Sequence, residues 1–283
     1  MPPIQGAVDV YDESYVRHGE RSLLVRIYRP PGPGPFPTVL SVHGGAWNSG
    51  SRHTNAPLDR AIAARGVLVI AADFRQPPLA GYPDSIADVN LAARWARVNA
   101  PRFRGRADRL GGLGTSSGGH QLLLNALRAG DPRYTALPLG QAAPPPVPSR
   151  VLHHLALCWP VTDPLGRYRW ARRASLHELV LLHERYWGDE AAMADGNPQL
   201  ILDRREHDQA ALPDLLMVQG TADVNIPAGT PQRFADSYRA AGGSVDLHLF
   251  AGMPHGFITR DPSQPQSVEA IELIAGFIAR QNA

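Results

Sequence analysis

The stretch Leu110-Gly111-Gly112-Leu113, then Gly114-Thr115-Ser116-Ser117-Gly118-Gly119, then His120–Leu127 reads as a short strand, a sharp turn and a helix. Residues 114–118 fit G-x-S-x-G, and only Ser116 satisfies the frame, because a shift to Ser117 puts Thr115 where a glycine is required. The glycines allow strand and helix to approach closely around a strained serine backbone. The helix N-terminus offers backbone N–H groups to a developing oxyanion. A Gly/Ser-rich turn of this kind also arises by chance, so its position between strand and helix gives it weight.

Outward from this turn, short aliphatic runs alternate with helical patterns, the signal of parallel α/β units. Leu23–Tyr28, Thr38–Val42, Val67–Ala72, Leu152–Trp159, Leu215–Gln219 and Val245–Phe250 read as strands. Ala56–Arg65, Ile86–Val98, Pro231–Ala241 and Val268–Arg280 have helical spacing. Val67–Ala72 is continuously apolar, as a strand buried on both faces is. Pro138–Pro148 is proline-rich and predicts a surface loop. The two strands flanking residues 163–210 are separated by about fifty residues, too many for an ordinary connection, so this segment is expected to form a helical cap inserted in a single domain spanning 1–283. Within it, Ala174–Tyr186 has a helical pattern, and Tyr168, Trp170, Tyr186 and Trp187 could line a pocket or anchor the cap.

Composition excludes several functions. The 283 residues are 43% hydrophobic and 19% charged, ordinary globular usage that argues against disorder or a fibrous repeat. Lys+Arg is 28 against Asp+Glu 26, a net charge of +2, with every basic residue an arginine and none clustered as a nucleic-acid footprint. One cysteine, Cys158, excludes an intrachain disulfide framework, and no Cys/His spacing resembles a metal site. The N-terminal residues lack the basic and apolar regions of a signal peptide and no apolar run spans a bilayer, so a cytoplasmic protein without a membrane partner is expected. The absence of lysine with abundant Ala, Arg and Pro suggests a GC-rich bacterial source.

A serine hydroxyl is a poor nucleophile near neutral pH; it needs an imidazole base, which in turn needs an acid to fix its tautomer. After strand Leu215–Gln219 comes Gly220-Thr221-Ala222-Asp223, and after Val245–Phe250 comes Gly252-Met253-Pro254-His255-Gly256, each in a loop at a strand's carboxyl end. After Thr38–Val42 comes His43-Gly44-Gly45-Ala46-Trp47, whose small residues let backbone amides reach a substrate. Taken singly, Asp223 reads as a turn aspartate, His255 as a loop histidine, and 43–47 as a glycine turn with a core tryptophan. In the order Ser116, Asp223, His255 they read jointly as catalytic. His43, placed before the nucleophile, is expected to orient its loop.

With His43–Trp47, Asp73-Phe74-Arg75, Gly114–Gly119, Gly220–Asp223 and Pro254-His255-Gly256, the chain resembles the α/β-hydrolase superfamily. Within it the chain is similar to hormone-sensitive-lipase-like and bacterial carboxylesterases, with kynurenine-formamidase-like enzymes close by. The resemblance implies a mostly parallel central sheet flanked by helices, Ser116 as nucleophile, His255 as base then acid, and Asp223 as the orienting acid. It implies an oxyanion hole from the amides of Gly45, Ala46 and Ser117, and structural roles for Asp73 and Arg75. Ala46, often a third glycine in lipase-like relatives, and Ser117, often alanine, depart from the pattern without removing an N–H. Trp47 and Trp159 are assigned to the substrate pocket.

The function expected is a serine hydrolase cleaving small to medium carboxylic esters through an acyl-enzyme, with no cofactor and no metal. Its partner is a small-molecule ester, and a homodimer is an allowed assembly. An arylformamidase or a lactonase would use the same triad, as would a lyase or acyltransferase. A non-catalytic binding protein on this fold is the reading from another class. Arg167, Arg169, Arg172 and Arg173 are expected on a solvated face, the alternative being a partner for a substrate carboxylate.

Overall fold

The computed structural model describes residues 6–139, 151–208 and 212–282; most of Pro138–Pro148 lies outside the described residues. Eight strands make one sheet: β1 (Asp9–His18), β2 (Arg21–Arg29), β3 (Thr38–Val42), β4 (Leu68–Ala72), β5 (Gly111–Thr115), β6 (His154–Cys158), β7 (Asp214–Gly220) and β8 (Val245–Phe250). Across the sheet the order is β1-β2-β4-β3-β5-β6-β7-β8. β2 runs antiparallel to both β1 and β4, and all pairings from β4 to β8 are parallel. β1 was not expected. Its exposed Asp9, Asp12, Ser14 and Arg17 guard a sheet edge with polar side chains, and that polarity masks the alternation.

The helices are α1 (Ala56–Ala63), α2 (Asp84–Asn99), α3 (Ser117–Leu127), α4 (Pro164–Arg173), α5 (His177–Trp187), α6 (Glu190–Asp195), α7 (Pro198–Asp203), α8 (Thr230–Ala240), α9 (Phe257–Arg260) and α10 (Pro265–Arg280). Period-two alternation splits the strand side chains between two apolar layers. Leu40, Val42, Leu68 and Ile70 pack with residues of α2, α3 and α8. Val39, Val69 and Ala71 pack on the other face with α1 and α10. With both faces covered, the strands are apolar throughout, and each fully buried aliphatic side chain contributes roughly 1.5–3 kcal/mol by leaving water.

Residues 163–208 between β6 and β7 form the four helices α4 to α7, more than the one helix the sequence pattern picks out. Asp163, Asp189 and Asn197 accept hydrogen bonds from the first-turn amides of α4, α6 and α7, so side-chain caps start these short helices where periodicity is too brief to register. A third apolar cluster, with Trp47, Tyr168, Tyr186, Trp187 and Met193, joins this insertion to the sheet. Among the described residues no helix is long and apolar enough to cross a membrane.

Candidate active site

Because β3, β5, β6, β7 and β8 are parallel, the segments after their carboxyl ends lie along one edge of the sheet, where open α/β sheets place ligands. Ser116 sits between β5 and α3 at φ 50° and ψ −119°, a strained conformation for a residue with a Cβ. The turn is held by Ser116 N donating to Cys158 O (2.9 Å) and by Val161 N donating to Ser116 O (3.1 Å). A Cβ on Gly118 would lie 2.1 Å from Val42 O, so only glycine lets the start of α3 cross the end of β3.

The turn brings Ser116 to the loops after β7 and β8. His255 Nδ1 is 2.8 Å from Asp223 Oδ2, and His255 Nε2 is 3.1 Å from Ser116 Oγ. An ionised carboxylate can only accept, so Nδ1 carries the proton and Nε2 is left as acceptor for the serine hydroxyl. Asp223 is held on every side: Oδ2 also accepts from Gln219 Nε2 (2.8 Å), and Oδ1 from the amides of Asn225 (2.7 Å) and Ile226 (3.0 Å). Burial alone pushes its carboxyl up, but the His255 hydrogen bond and charge, with the Asn225 and Gln219 donors, outweigh it and hold the group below the ordinary aspartate range. Gln219 and Asn225 were not singled out in the sequence; a glutamine four residues before the acid carries no recognisable signature.

Residues 45–47 turn with three successive positive φ values, 113° at Gly45, 48° at Ala46 and 63° at Trp47. The amides of Gly45, Ala46 and Ser117 donate to no acceptor among the described residues. Gly45 and Ala46 line the same cleft as Ser116. Ser117 is buried at the start of α3, and its Oγ accepts from Trp47 N (3.1 Å), bracing the loop against the helix. Beneath runs a buried chain: Gly44 N donates to Thr115 Oγ1, Thr115 Oγ1 to Asn55 Oδ1, Asn55 Nδ2 to Ser41 Oγ, and Ser41 Oγ to Asp59 Oδ1. His43 is buried against Phe74, and Nδ1 donates to Gly44 O; burial lowers its pKa to about 4, keeping it neutral. Asp73 anchors Arg52, while Arg75 reaches back to Asp88 on α2.

The cleft measures about 350 Å³ and is walled by Trp159, Leu179, Leu182 and Arg167. A larger surface groove of about 590 Å³ lies elsewhere, between the start of β2 and residues 73–79. Trp159 stands 5.9 Å from the His255 ring. Trp47 corrects an expectation: it is fully buried, stacked 5.1 Å from Tyr186 and edge-on to Trp187, and does not line the cleft. At this positive φ the side chain lies in the apolar cluster that joins the insertion to the sheet. Tyr168, Tyr186 and Trp187 likewise anchor the insertion. Arg169 and Arg172 are exposed and lie near Glu190, and Arg173 is exposed. Arg167 departs from them and is 3% exposed.

A family model described as alpha/beta hydrolase fold matches residues 39–259. Esterase LipC of Mycobacterium tuberculosis is 30% identical over 88% of this chain, and the carboxylic ester hydrolase LipM of the same organism, described as probable, is 28% identical over 81%. The chain spans about 60% of the length of LipC and 51% of that of LipM. Among solved structures, a propionate-bound thermophilic esterase of Thermogutta terrifontis superposes with a TM-score of 0.72 at 26% identity, covering 99% of this chain and 96% of that one. A hyperthermophilic esterase of Pyrobaculum calidifontis reaches a TM-score of 0.77 at 20% identity, over 96% and 86%, which is a likeness of fold alone. The strand order, the turn that carries Ser116 and the family match over residues 39–259 agree: this chain belongs to the α/β-hydrolase fold family.

Proposed function

We propose that this protein hydrolyses small to medium carboxylic esters through an acyl-enzyme on Ser116. The observation that carries the reading is the relay Ser116 Oγ, His255 Nε2, His255 Nδ1, Asp223 Oδ2, beside main-chain amides with no other acceptor among the described residues. Ser116 Oγ attacks the ester carbonyl carbon as its proton passes to His255 Nε2. The oxyanion of the tetrahedral intermediate takes hydrogen bonds from Gly45, Ala46 and Ser117 N–H. Collapse breaks the acyl–oxygen bond, and the departing alkoxide takes the proton from Nε2. Water then attacks the acyl carbon, gives its proton to Nε2, and the acid leaves with Ser116 restored. Asp223 holds Nδ1–H and offsets the charge on the imidazolium. Trp159, with Leu179 and Leu182, forms the apolar wall for the substrate. The reading includes residues 163–210 as a cap over the cleft, of which 209 and 210 lie outside the described residues, and a cytoplasmic location; it allows a homodimer, which sedimentation would test.

The test is hydrolysis of nitrophenyl acetate, butyrate and octanoate, an arylformamide and a lactone by wild type and by Ser116→Ala. Turnover of the shorter esters, with kcat reduced about 10³-fold or more in the variant, is expected. Preference for the formamide or lactone would move the substrate class within the same chemistry. Equal rates in wild type and variant would refute the nucleophile, and the hydrolase reading with it.

A further inference from the structure

Arg167 lies on α4 in the wall of the cleft that also holds Ser116 and His255. Its guanidinium is spent on one contact, Nε donating to Asn225 O at 2.8 Å. Nη1 is buried and has no hydrogen-bond partner, and no carboxylate lies within salt-bridge distance of the side chain among the described residues. Asp223 attracts it electrostatically but has its oxygens occupied by His255, Gln219, Asn225 and Ile226. None of the residues lining the cleft is acidic. Burial lowers the arginine's pKa to about 10, so the charge persists at neutral pH.

A buried cation with an unmet donor is costly, because an unsatisfied charged group loses its hydration without replacement. The Asn225 contact explains the position of Nε and leaves the other edge of the fork unexplained. That edge, two N–H donors in a plane, matches a carboxylate in bidentate geometry. We propose that Arg167 is a substrate-recognition residue, and that the preferred substrates are esters bearing a second, ionised carboxylate, such as hemiesters of short dicarboxylic acids. This rests on the ester-hydrolase reading and deepens it. Arg167 touches the spectator carboxylate and takes no part in the bond changes at Ser116.

The experiment compares kcat/KM for methyl hemiesters of malonic through adipic acid with neutral methyl esters of equal chain length. A parallel series, acetates of short hydroxy acids against acetates of the matching alcohols, places the carboxylate on the leaving-group side. Wild type should favour the anionic member at least tenfold at one chain length. Arg167→Gln and Arg167→Met should reduce that ratio about tenfold or more, with Arg167→Lys retaining part of it. The ratio, rather than either rate, is read, since loosening the Asn225 contact lowers all rates together. Should the variants not fold, wild type alone still decides: free glutarate should compete with a neutral ester at least tenfold more tightly than glutaramide. Wild type active on neutral esters with no anionic preference at any length, or with glutarate and glutaramide equal, overturns the role of Arg167 and leaves the hydrolase reading standing. Wild type inactive on every ester overturns both.

Discussion

Ala46 and Trp47 are neighbours in the chain, yet one lines the cleft around Ser116 and the other is buried in the aromatic cluster under the insertion. Around the cleft, hydrogen-bonding capacity is unspent: the amides of Gly45, Ala46 and Ser117 and the buried Nη1 of Arg167 have no partner among the described residues. In the cluster Trp187 Nε1 and His183 Nε2 are buried without a partner, but around Trp47 itself the capacity is consumed internally. Trp47 Nε1 donates to His120 Nδ1 (3.1 Å), and His120 Nε2 donates to Gly196 O (2.8 Å). With both nitrogens used and the ring buried, the pKa of His120 falls to about 4 and it stays neutral. Main-chain amides left open beside a strained turn and a serine–histidine–aspartate relay point to chemistry; an unpartnered nitrogen inside an aromatic stack, such as Trp187 Nε1, does not.

The contrast breaks if the two regions respond alike to substitution. The largest expected effect is in the cleft. Asp223→Asn keeps the size of the side chain and removes the charge that fixes Nδ1–H, so kcat should fall about 10⁴-fold, equivalent to roughly 5.5 kcal/mol of barrier. The melting temperature should move little, which differential scanning calorimetry checks beside the kinetics. Next comes the cluster: Trp47→Ala empties a fully buried site, and denaturant titration should register a loss of about 3–5 kcal/mol. A Trp47→Ala protein that keeps its stability but shifts KM along the ester series would return the residue to the pocket.

The same contrast governs what could be read in advance. That Ser116, Asp223 and His255 would come together was legible because a serine–histidine–acid relay uses few residue types and each of the three lies just past a strand end. Their mutual distances follow from the parallel order of β5, β7 and β8. Trp47 was not, since position after a strand says nothing of the side on which an aromatic ring is buried. Arg167 was grouped with Arg169, Arg172 and Arg173 on a solvated face, a substrate carboxylate being the alternative, and it is buried instead because it lies on the inner side of α4, a helix the pattern did not show. Once the helix is known, Pro164, Arg167, Tyr168 and Ala171 form one buried stripe at i, i+3, i+4 and i+7, with an arginine in a core position. A run of arginines hides that stripe by suggesting solvent. β1 was hidden in the same way by its charged edge.

The smallest effect sharpens the comparison by setting two aspartates against each other. Asp223, surrounded by donors, is held ionised; Asp59, fully buried with Ser41 as its one side-chain donor and Oδ2 without a partner, is pushed up to about 8 by burial. In the unfolded chain an aspartate loses its proton near pH 4, whereas folded Asp59 keeps it until about pH 8. Between those values the folded state binds the extra proton, so this group makes stability fall as pH rises. The limiting slope for one proton is about 1.4 kcal/mol per pH unit. In Asp59→Asn the amide would imitate the protonated acid, accepting from Ser41 with its carbonyl oxygen, and cannot titrate. The stability of Asp59→Asn relative to wild type should therefore grow by about 1 kcal/mol per unit between pH 6 and 7.5, read from urea midpoints at each pH. Parallel curves would mean that Asp59 is ionised in the folded protein. The chain of hydrogen bonds from Asp59 through Ser41, Asn55 and Thr115 to Gly44 N would then end on a buried charge beneath the loop of free amides, in place of a neutral acid.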